Sequence, residues 1–296
     1  MDVGRPTLDQ LRIFLAVADE GSFNTAAKKL GRAVSVISYG VASLEAQLGV
    51  KLFDREGSRR PQLTEPGRAL LADARTVSDD VDGLVSRARS ILQGLETELT
   101  LALDVMMPSK VVAEMLRDFQ VMFPTVNLRL HLDALGAVAA HVLERRADLA
   151  VIGPDIGELP ELQRRIIGCV ELVPVAAPDH PLAQQPSIEP GDTAKCLQLV
   201  LTDRSSLTEG KEFSVLSPRT WRLADLGAKH ALLLEGIGWG NMPRHMVEDD
   251  LAAGRLVTLC LPEAPSFDYL LSALWRKDSR PGPAAVWMLD ALIEKC

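Results

Sequence analysis

The chemistry-bearing side chains of this 296-residue chain form no catalytic set. His131, His141, His180, His230 and His245 are scattered, and none stands at ligand spacing from a cysteine or carboxylate. Cys169, Cys196, Cys260 and Cys296 lie far apart with no CxxC, so free thiols in a reducing compartment are expected. There is no P-loop, GxSxG or HExxH. Recognition chemistry is concentrated near the start. Ser35, Val36, Ser38 and Tyr39 share one short helical stretch between Arg32 and Lys51, and Arg55, Arg59 and Arg60 bunch around Gly57-Ser58. Guanidinium groups neutralise phosphates, Ser and Tyr hydroxyls bond to phosphates or bases, and valine methyls meet thymine methyls. That set suits duplex DNA. No Lys or Arg occurs between Ala33 and Val50, so the bidentate contact to guanine is absent from the helix. The three arginines are expected to carry more of the affinity, as wing contacts to phosphate or the minor groove.

Small rigid elements must present these groups. Leu8, Leu11, Phe14, Leu15 and Ala18 share a face, which predicts a helix over 7–20 ended by Gly21. Ser22 caps a second helix that buries Phe23, Ala26, Ala27 and Leu30, and Gly31 breaks it. A third helix, over 33–48, carries the stripe Val34, Ile37, Val41, Leu44 and Leu48, which leaves Val34 as either packing or contact. Ala33 offers no side-chain cap, and Gly40 costs about 1 kcal/mol within a helix. Lys51–Asp54 and Pro61–Leu63 are short enough to be wing strands. The unit predicted over 6–64 is a winged helix-turn-helix.

Thr64 then caps a long helix over 65–95, with Pro66 in its first turn. Leu70, Ala74, Val77, Val81, Leu84, Ala88, Ile91 and Leu95 recur at steps of 4 and 3. This seam predicts a two-chain coiled coil and hence a homodimer; the alternative is a helix packed on its own domain. From 96 to 296, strand-like and helical runs alternate in two series, with a late strand at Phe267–Trp275 and a final helix at Ala284–Lys295. The reading is a largely parallel α/β domain of two lobes with crossovers, lobe 1 about 96–173 plus 265–296 and lobe 2 about 174–264.

The segments LRIFLAVADEGSFNTAAKKLG, LEAQLGVKLFDR with LTEPG, VPVAAPDHPLA at 173–183 and LLEGIGWGNMPRHMVEDDLAAGRLVTL at 233–259 resemble, in order, stretches of LysR-type transcriptional regulators. The resemblance spans nearly the whole chain. It implies a bacterial transcription factor: a winged helix-turn-helix, a linker helix and a two-lobed, periplasmic-binding-protein-like α/β domain with a small effector in its cleft. The implied partners are double-stranded DNA carrying an interrupted inverted repeat, a small-molecule effector of unassigned identity, further copies of the chain in a homodimer or homotetramer, and RNA polymerase. No cofactor or metal is expected. On the third helix Ala33, Val34 and Ser35 replace the family's usual Ser-Gln-Pro, and Tyr39-Gly40 replaces a frequent Arg-Gln.

The same resemblance supplies candidates for effector contact. Met107, Pro108 and Ser109 follow the first strand of lobe 1 and open a helix whose N-terminus suits an anion. Leu135 and Gly136 open the next helix, where Gly136 lacks the hydroxyl the family often has. Thr202, Asp203, Arg204 and Ser205 follow the first strand of lobe 2, and Trp239, Asn241 and Met242 lie across the cleft. Arg204 would balance a carboxylate, while Met107, Trp239 and Met242 would wall an apolar body; for Trp239 core packing is the favoured alternative.

The formal charge of −8 runs against a nucleic-acid binder, yet residues 1–67 hold nine Lys/Arg against eight Asp/Glu, leaving −9 on the remainder. The N-terminus has no apolar leader, and no apolar run is long enough to span a membrane, so a cytoplasmic location is expected. Two other classes are weighed. A solute-binding module explains 98–296 but not the first 95 residues. An enzyme on an α/β fold lacks a nucleophile–base or metal set.

Overall fold

A computed structural model describes residues 4–54, 61–153 and 157–295. The chain divides into two compact units, Met1–Ser90 and Ile91–Cys296. In the first, α1 (Leu8–Glu20), α2 (Phe23–Leu30) and α3 (Val34–Leu48) enclose Ile13, Phe14, Val17, Ala26, Ala27, Ile37, Val41 and Leu44. Thr7 and Gln10 form a capping box on α1, Ser22 accepts from Thr25 N–H on α2, and Gly21, Gly31 and Gly49 end the three helices at positive φ. Ala33 gives α3 no side-chain cap, as the sequence implied.

Two features of α3 needed the third dimension. A methyl group on Gly40 would stand 2.6 Å from Ile13 Cδ1 and 3.4 Å from Ile13 Cγ2. The glycine therefore lets α1 and α3 touch, which accounts for its unfavourable helix propensity. Val34 does not join the core stripe: it is 41% exposed at the start of α3, and burial begins at Ile37.

The wing pairs β1 (Phe53–Asp54) antiparallel with β2 (Gln62–Leu63). It is fastened to α3 by Glu45, whose buried Oε1 accepts from Leu52 N–H at 2.8 Å and Phe53 N–H at 3.2 Å. Thr64 caps α4 (Glu65–Leu92) by accepting from Gly67 N–H at 3.0 Å. The heptad then splits between two roles. Leu70, Leu71 and Ala74 join the three-helix core, and ion pairs Arg12–Asp82 (2.6 Å) and Arg75–Asp19 hold α4 on α1. Farther along, Val77, Leu84 and Ile91 are 44%, 61% and 55% exposed, an apolar line with seven-residue spacing.

The second unit contains β3 (Glu98–Asp104), α5 (Ser109–Met122), β4 (Asn127–Asp133), α6 (Gly136–Leu143), β5 (Leu149–Ile152), β6 (Leu162–Ala176), β7 (Gln198–Leu201), β8 (Thr220–Leu223), α7 (Leu226–Leu234), β9 (Trp239–Pro243), α8 (Arg244–Ala252), β10 (Val257–Thr258), β11 (Phe267–Arg276) and α9 (Pro283–Lys295). The strands form one nine-stranded sheet in the order β4-β3-β5-β11-β6-β9-β7-β8, with β10 beside β6. Pairing is parallel within each series (β4-β3-β5 and β9-β7-β8) and antiparallel where β5 meets β11, β11 meets β6 and β6 meets β9. β6 thus pairs with strands of both series, while β11 pairs with β5 and β6. The crossing strand starts at Leu162, eleven residues before the 173–183 segment.

Gly40→Ala is expected to destabilise the first unit by about 1 kcal/mol, because overpacking of about 1–3 kcal/mol exceeds the helix gain of about 0.5–1. In an Ile13→Val background, which removes Cδ1, the same alanine should become neutral or stabilising. Urea unfolding of the two single variants and the double variant measures this coupling.

Candidate functional site

On the first unit, one face of α3 is buried and the other presents Ser35, Val36 and Tyr39, with Val36 45% and Tyr39 76% exposed. Ser38 is half-buried beside them. Arg32 is exposed and ion-paired to Asp9 at 2.7 Å; Lys51 reaches Glu45 Oε2 at 3.2 Å while remaining largely in solvent. The α3 side of this unit therefore combines hydroxyls, valine methyls and two cations. Lys28, which the sequence reading passed over, lines a depression with Asn24, Arg32, Ala33 and Val34 at the uncapped start of α3. Arg55, Arg59 and Arg60 lie outside the described residues.

In the second unit the organising group is Asp104, 1% exposed at the end of β3. Its Oδ1 accepts from Met106 N–H at 2.9 Å and its Oδ2 from the Tyr269 hydroxyl at 2.8 Å; the amides of Gly153 and Leu135 also donate to it. One carboxylate thereby gathers the segments after β3, before α6 and after β5, together with β11. Burial raises its pKa to about 6 against the opposing pull of those donors. Burial and the adjoining carboxylate push the Tyr269 phenol well above its ordinary value. A Cβ at Gly153 would fall within the Tyr269 ring, so only glycine leaves room for it. Leu135 is held at φ +52°, a region costly for a side chain by about 1–3 kcal/mol.

Above this scaffold is a cavity of about 240 Å³ between the lobes. Lobe 1 contributes Met106 and Leu135, and the crossing strands Leu172, Phe267 and Tyr269. Lobe 2 contributes Gln198 to Leu201, Glu212 to Ser214, Lys229 and Asn241. Lys229 projects from α7 and is 3% exposed. Its Nζ donates to the Asn241 carbonyl at 2.7 Å, and no carboxylate among the described residues lies within 4.0 Å of it. Burial pulls its pKa down to about 7. The side-chain Oδ1 of Asn241 is buried without a hydrogen-bond partner.

The expected effector residues separate into several places. Leu135 and Asn241 line the cavity. Gly136 sits where a Cβ would come within 2.9–3.1 Å of Thr208, Leu207 and Ser205, so it admits the lobe 2 loop. Asp203 reaches from that loop to α6, its Oδ2 accepting from Ala137 N–H at 2.7 Å, while its Oδ1 takes the Thr208 hydroxyl. Thr202 is half-buried next to it, and Ser205 accepts from Leu207 N–H at 3.0 Å. Arg204 faces a different depression with Arg146 and Glu144, so it does not supply the cavity's cation. Met107 and Ser109 face a third one with Asp225 and His245; Pro108 is the N-cap of α5. Trp239 and Met242 are fully buried in hydrophobic cores and do not wall the cavity. Met106, Leu172, Phe213 and Phe267 provide its apolar walls.

Lys229 escaped the motif reading but left a trace in sequence. It occupies the 226–229–233 stripe of a helix apolar but for Lys229 and His230, between the buried Leu226 and Leu233. Asp104 likewise ends an apolar strand.

A helix-turn-helix joined to a two-lobed α/β domain defines a DNA-binding regulator that receives a small molecule. Residues 8–68 match the bacterial regulatory helix-turn-helix protein, lysR family, and residues 92–296 match the LysR substrate binding domain. The chain belongs to the LysR family of transcriptional regulators, with a DNA-binding helix-turn-helix and an effector-binding domain. It is 32% identical over 288 residues to the HTH-type transcriptional regulator YhaJ of Escherichia coli O157:H7, covering 96% of this chain and 94% of that one. It is 26% identical over 302 residues to AceR of Acinetobacter baumannii, covering 97% and 96%. Two solved structures share the fold. The OxyR C206 mutant of Corynebacterium glutamicum has TM-score 0.53 and 23% identity, with 98% and 93% covered. DarR of Vibrio fischeri in complex with DNA has TM-score 0.52 and 20% identity, with 99% and 100% covered.

Lys229→Met should stabilise the folded chain at pH 7 by about 1–2 kcal/mol, since it keeps the stem and removes a desolvated amine. The folded amine releases its proton near 7, the unfolded one near its ordinary 10.5. The unfolded chain therefore holds the extra proton between these values, and wild-type stability rises with pH across that window. Urea unfolding at pH 7 and 9.5 should show the advantage of the variant shrinking at the higher pH.

Proposed function

We propose that the outer face of α3 reads DNA through Ser35, Val36, Ser38 and Tyr39, with Arg32, Lys51, Arg55, Arg59 and Arg60 on phosphates or in the minor groove. The observation that supports this is the solvent exposure of Val36 and Tyr39 on a helix whose opposite face is fully packed. The first turn of α3 has no side-chain cap, which suits approach to a phosphate. Effector contact is assigned to the cavity between the lobes, with Leu135 and Asn241 as contacts and Asp203, Gly136, Thr202 and Ser205 shaping its lobe-to-lobe edge. The domain limits are taken as 6–64, 65–95 and 96–296. The protein works in the cytoplasm; among the described residues no helix is long and apolar enough to cross a membrane.

The regulator is further proposed to be a homodimer through α4, assembling into a tetramer and contacting RNA polymerase when bound to its operator. The exposed line Val77, Leu84 and Ile91 supports the dimer, because it continues a heptad whose first part is already used for packing within the chain.

Three measurements test this reading. A gel shift with the DNA upstream of the protein's own gene should show a specific complex. Arg60→Ala should weaken binding to specific and unrelated duplexes alike and reduce the slope of log K against log salt by about 1; an unchanged slope removes Arg60 from the phosphate contacts. Leu84→Glu should shift sedimentation from dimer to monomer at micromolar concentration without lowering the melting temperature of the three-helix core. A dimer of unchanged strength would place the subunit interface elsewhere.

A further inference from the structure

The cavity between the lobes has a chemistry of its own. Among the described residues Lys229 is the one cation on its wall, and no carboxylate compensates the burial that lowers its charge. Natural cores rarely keep such a group, because an uncompensated buried charge is destabilising. Its ammonium has three donors and uses one, on the Asn241 carbonyl. Beside it, Asn241 Oδ1 is a buried acceptor with no donor. The remaining ionisable groups facing the cavity are satisfied. Glu212 binds Arg222 of β8 at 2.7 and 2.9 Å, and Tyr269 of β11 donates to Asp104 of β3. Lys229's neighbour on α7, His230, is bonded to Asp250 of α8.

Other places where an anion would sit are taken or turned away. The N-terminus of α6 already receives the carboxylate of Asp203. Arg204 and Ser109 face other depressions. The volume sets an upper size. A cavity of about 150 Å³ accepts benzene, so about 240 Å³ accommodates one substituted ring or an aliphatic chain of similar bulk. The walls that such a body would meet are Leu135, Leu172, Phe213 and Phe267.

We infer that the cleft takes a small monoanion, a carboxylate on an apolar body of about one ring, whose charge pairs with Lys229 Nζ and whose neighbouring hydrogen-bond donor meets Asn241 Oδ1. The inference rests on assigning the effector to this cleft. Anion binding holds Lys229 protonated, so above neutral pH it draws a proton from solution.

The test is calorimetric titration of the full chain near pH 8 in two buffers of different ionisation enthalpy. The probes are matched pairs: benzoate and benzamide, phenylacetate and phenylacetamide, 2-hydroxybenzoate and 2-hydroxybenzamide. At least one carboxylate should bind about tenfold or more tightly than its amide, as expected of a charge-assisted hydrogen bond, with uptake of up to about one proton. Lys229→Gln should abolish both the preference and the uptake. Asn241→Ala should weaken 2-hydroxybenzoate more than benzoate. Amides binding as well as carboxylates in every pair, no carboxylate binding, or a preference that survives Lys229→Gln would each overturn the inference. If Lys229→Gln fails to fold, the wild-type comparison of acids with amides still decides. A gel shift run with the same probes separates the two levels. A neutral amide that binds the cleft and alters DNA affinity keeps effector control and defeats the anion. A carboxylate that binds through Lys229 without altering DNA affinity does the reverse.

Discussion

The second unit is organised by one buried carboxylate. Asp104 ends β3 and is met by donors from the segments after β3, before α6 and after β5, and from Tyr269 on β11. Those segments are far apart in sequence, and Met106, Leu135 and Tyr269 from them line the cleft. Four donors oppose the loss of solvation of this carboxylate, yet burial still raises its pKa to about 6. In return, three loop segments and strand β11 share one anchor. Tyr269 transmits this anchor to the cavity floor, and Leu135, strained at φ +52°, places its side chain on the same wall.

The antiparallel pair of β6 and β11 does the corresponding work between lobes. β6 pairs with β11 as far as Leu172 and with β9 from Leu172 onward, so Leu172, which faces Phe267 in register, stands where the two strand series join. Across the cleft, Asp203 bonds to the start of α6, and Gly136 admits the Ser205–Thr208 turn. The cleft is thus bounded by shared strands on one side and a carboxylate-to-helix contact on another. Lys229 and Asn241 come from lobe 2 and face Met106 and Leu135 of lobe 1. A molecule seated there touches both lobes at once, which is the requirement for coupling occupancy to their relative position.

Much of this was legible in sequence where periodicity and end signals agreed. The helices of the first unit were bounded in sequence by Gly21, Ser22 and Gly31, and these end signals form as the residue types require. The heptad on α4 was visible, but not its division into a part that packs on α1 and a part left exposed, because the ion pairs Arg12–Asp82 and Arg75–Asp19 join residues 56 or more positions apart. Gly40 looked like a defect until Ile13 was seen against it. Val34 fitted the stripe by spacing alone, yet the core begins one turn later at Ile37. In the effector domain the family pattern located loops but not side-chain directions. Arg204 stands in the expected segment but faces another depression, Trp239 takes the packing alternative, and the cavity's cation comes from a helix stripe that reads as apolar packing.

Lys229 lies desolvated and without a carboxylate partner among the described residues, in the wall of the interlobe cavity. Nuclear magnetic resonance titration of the lysine side chains in the full chain, with ¹³C at the ε-carbon and Lys229→Gln to assign the signal, measures this directly. The Lys229 signal should have its midpoint near 7. A Lys229 signal that titrates with the other lysines near the ordinary 10.5 would contradict a desolvated, unpaired amine.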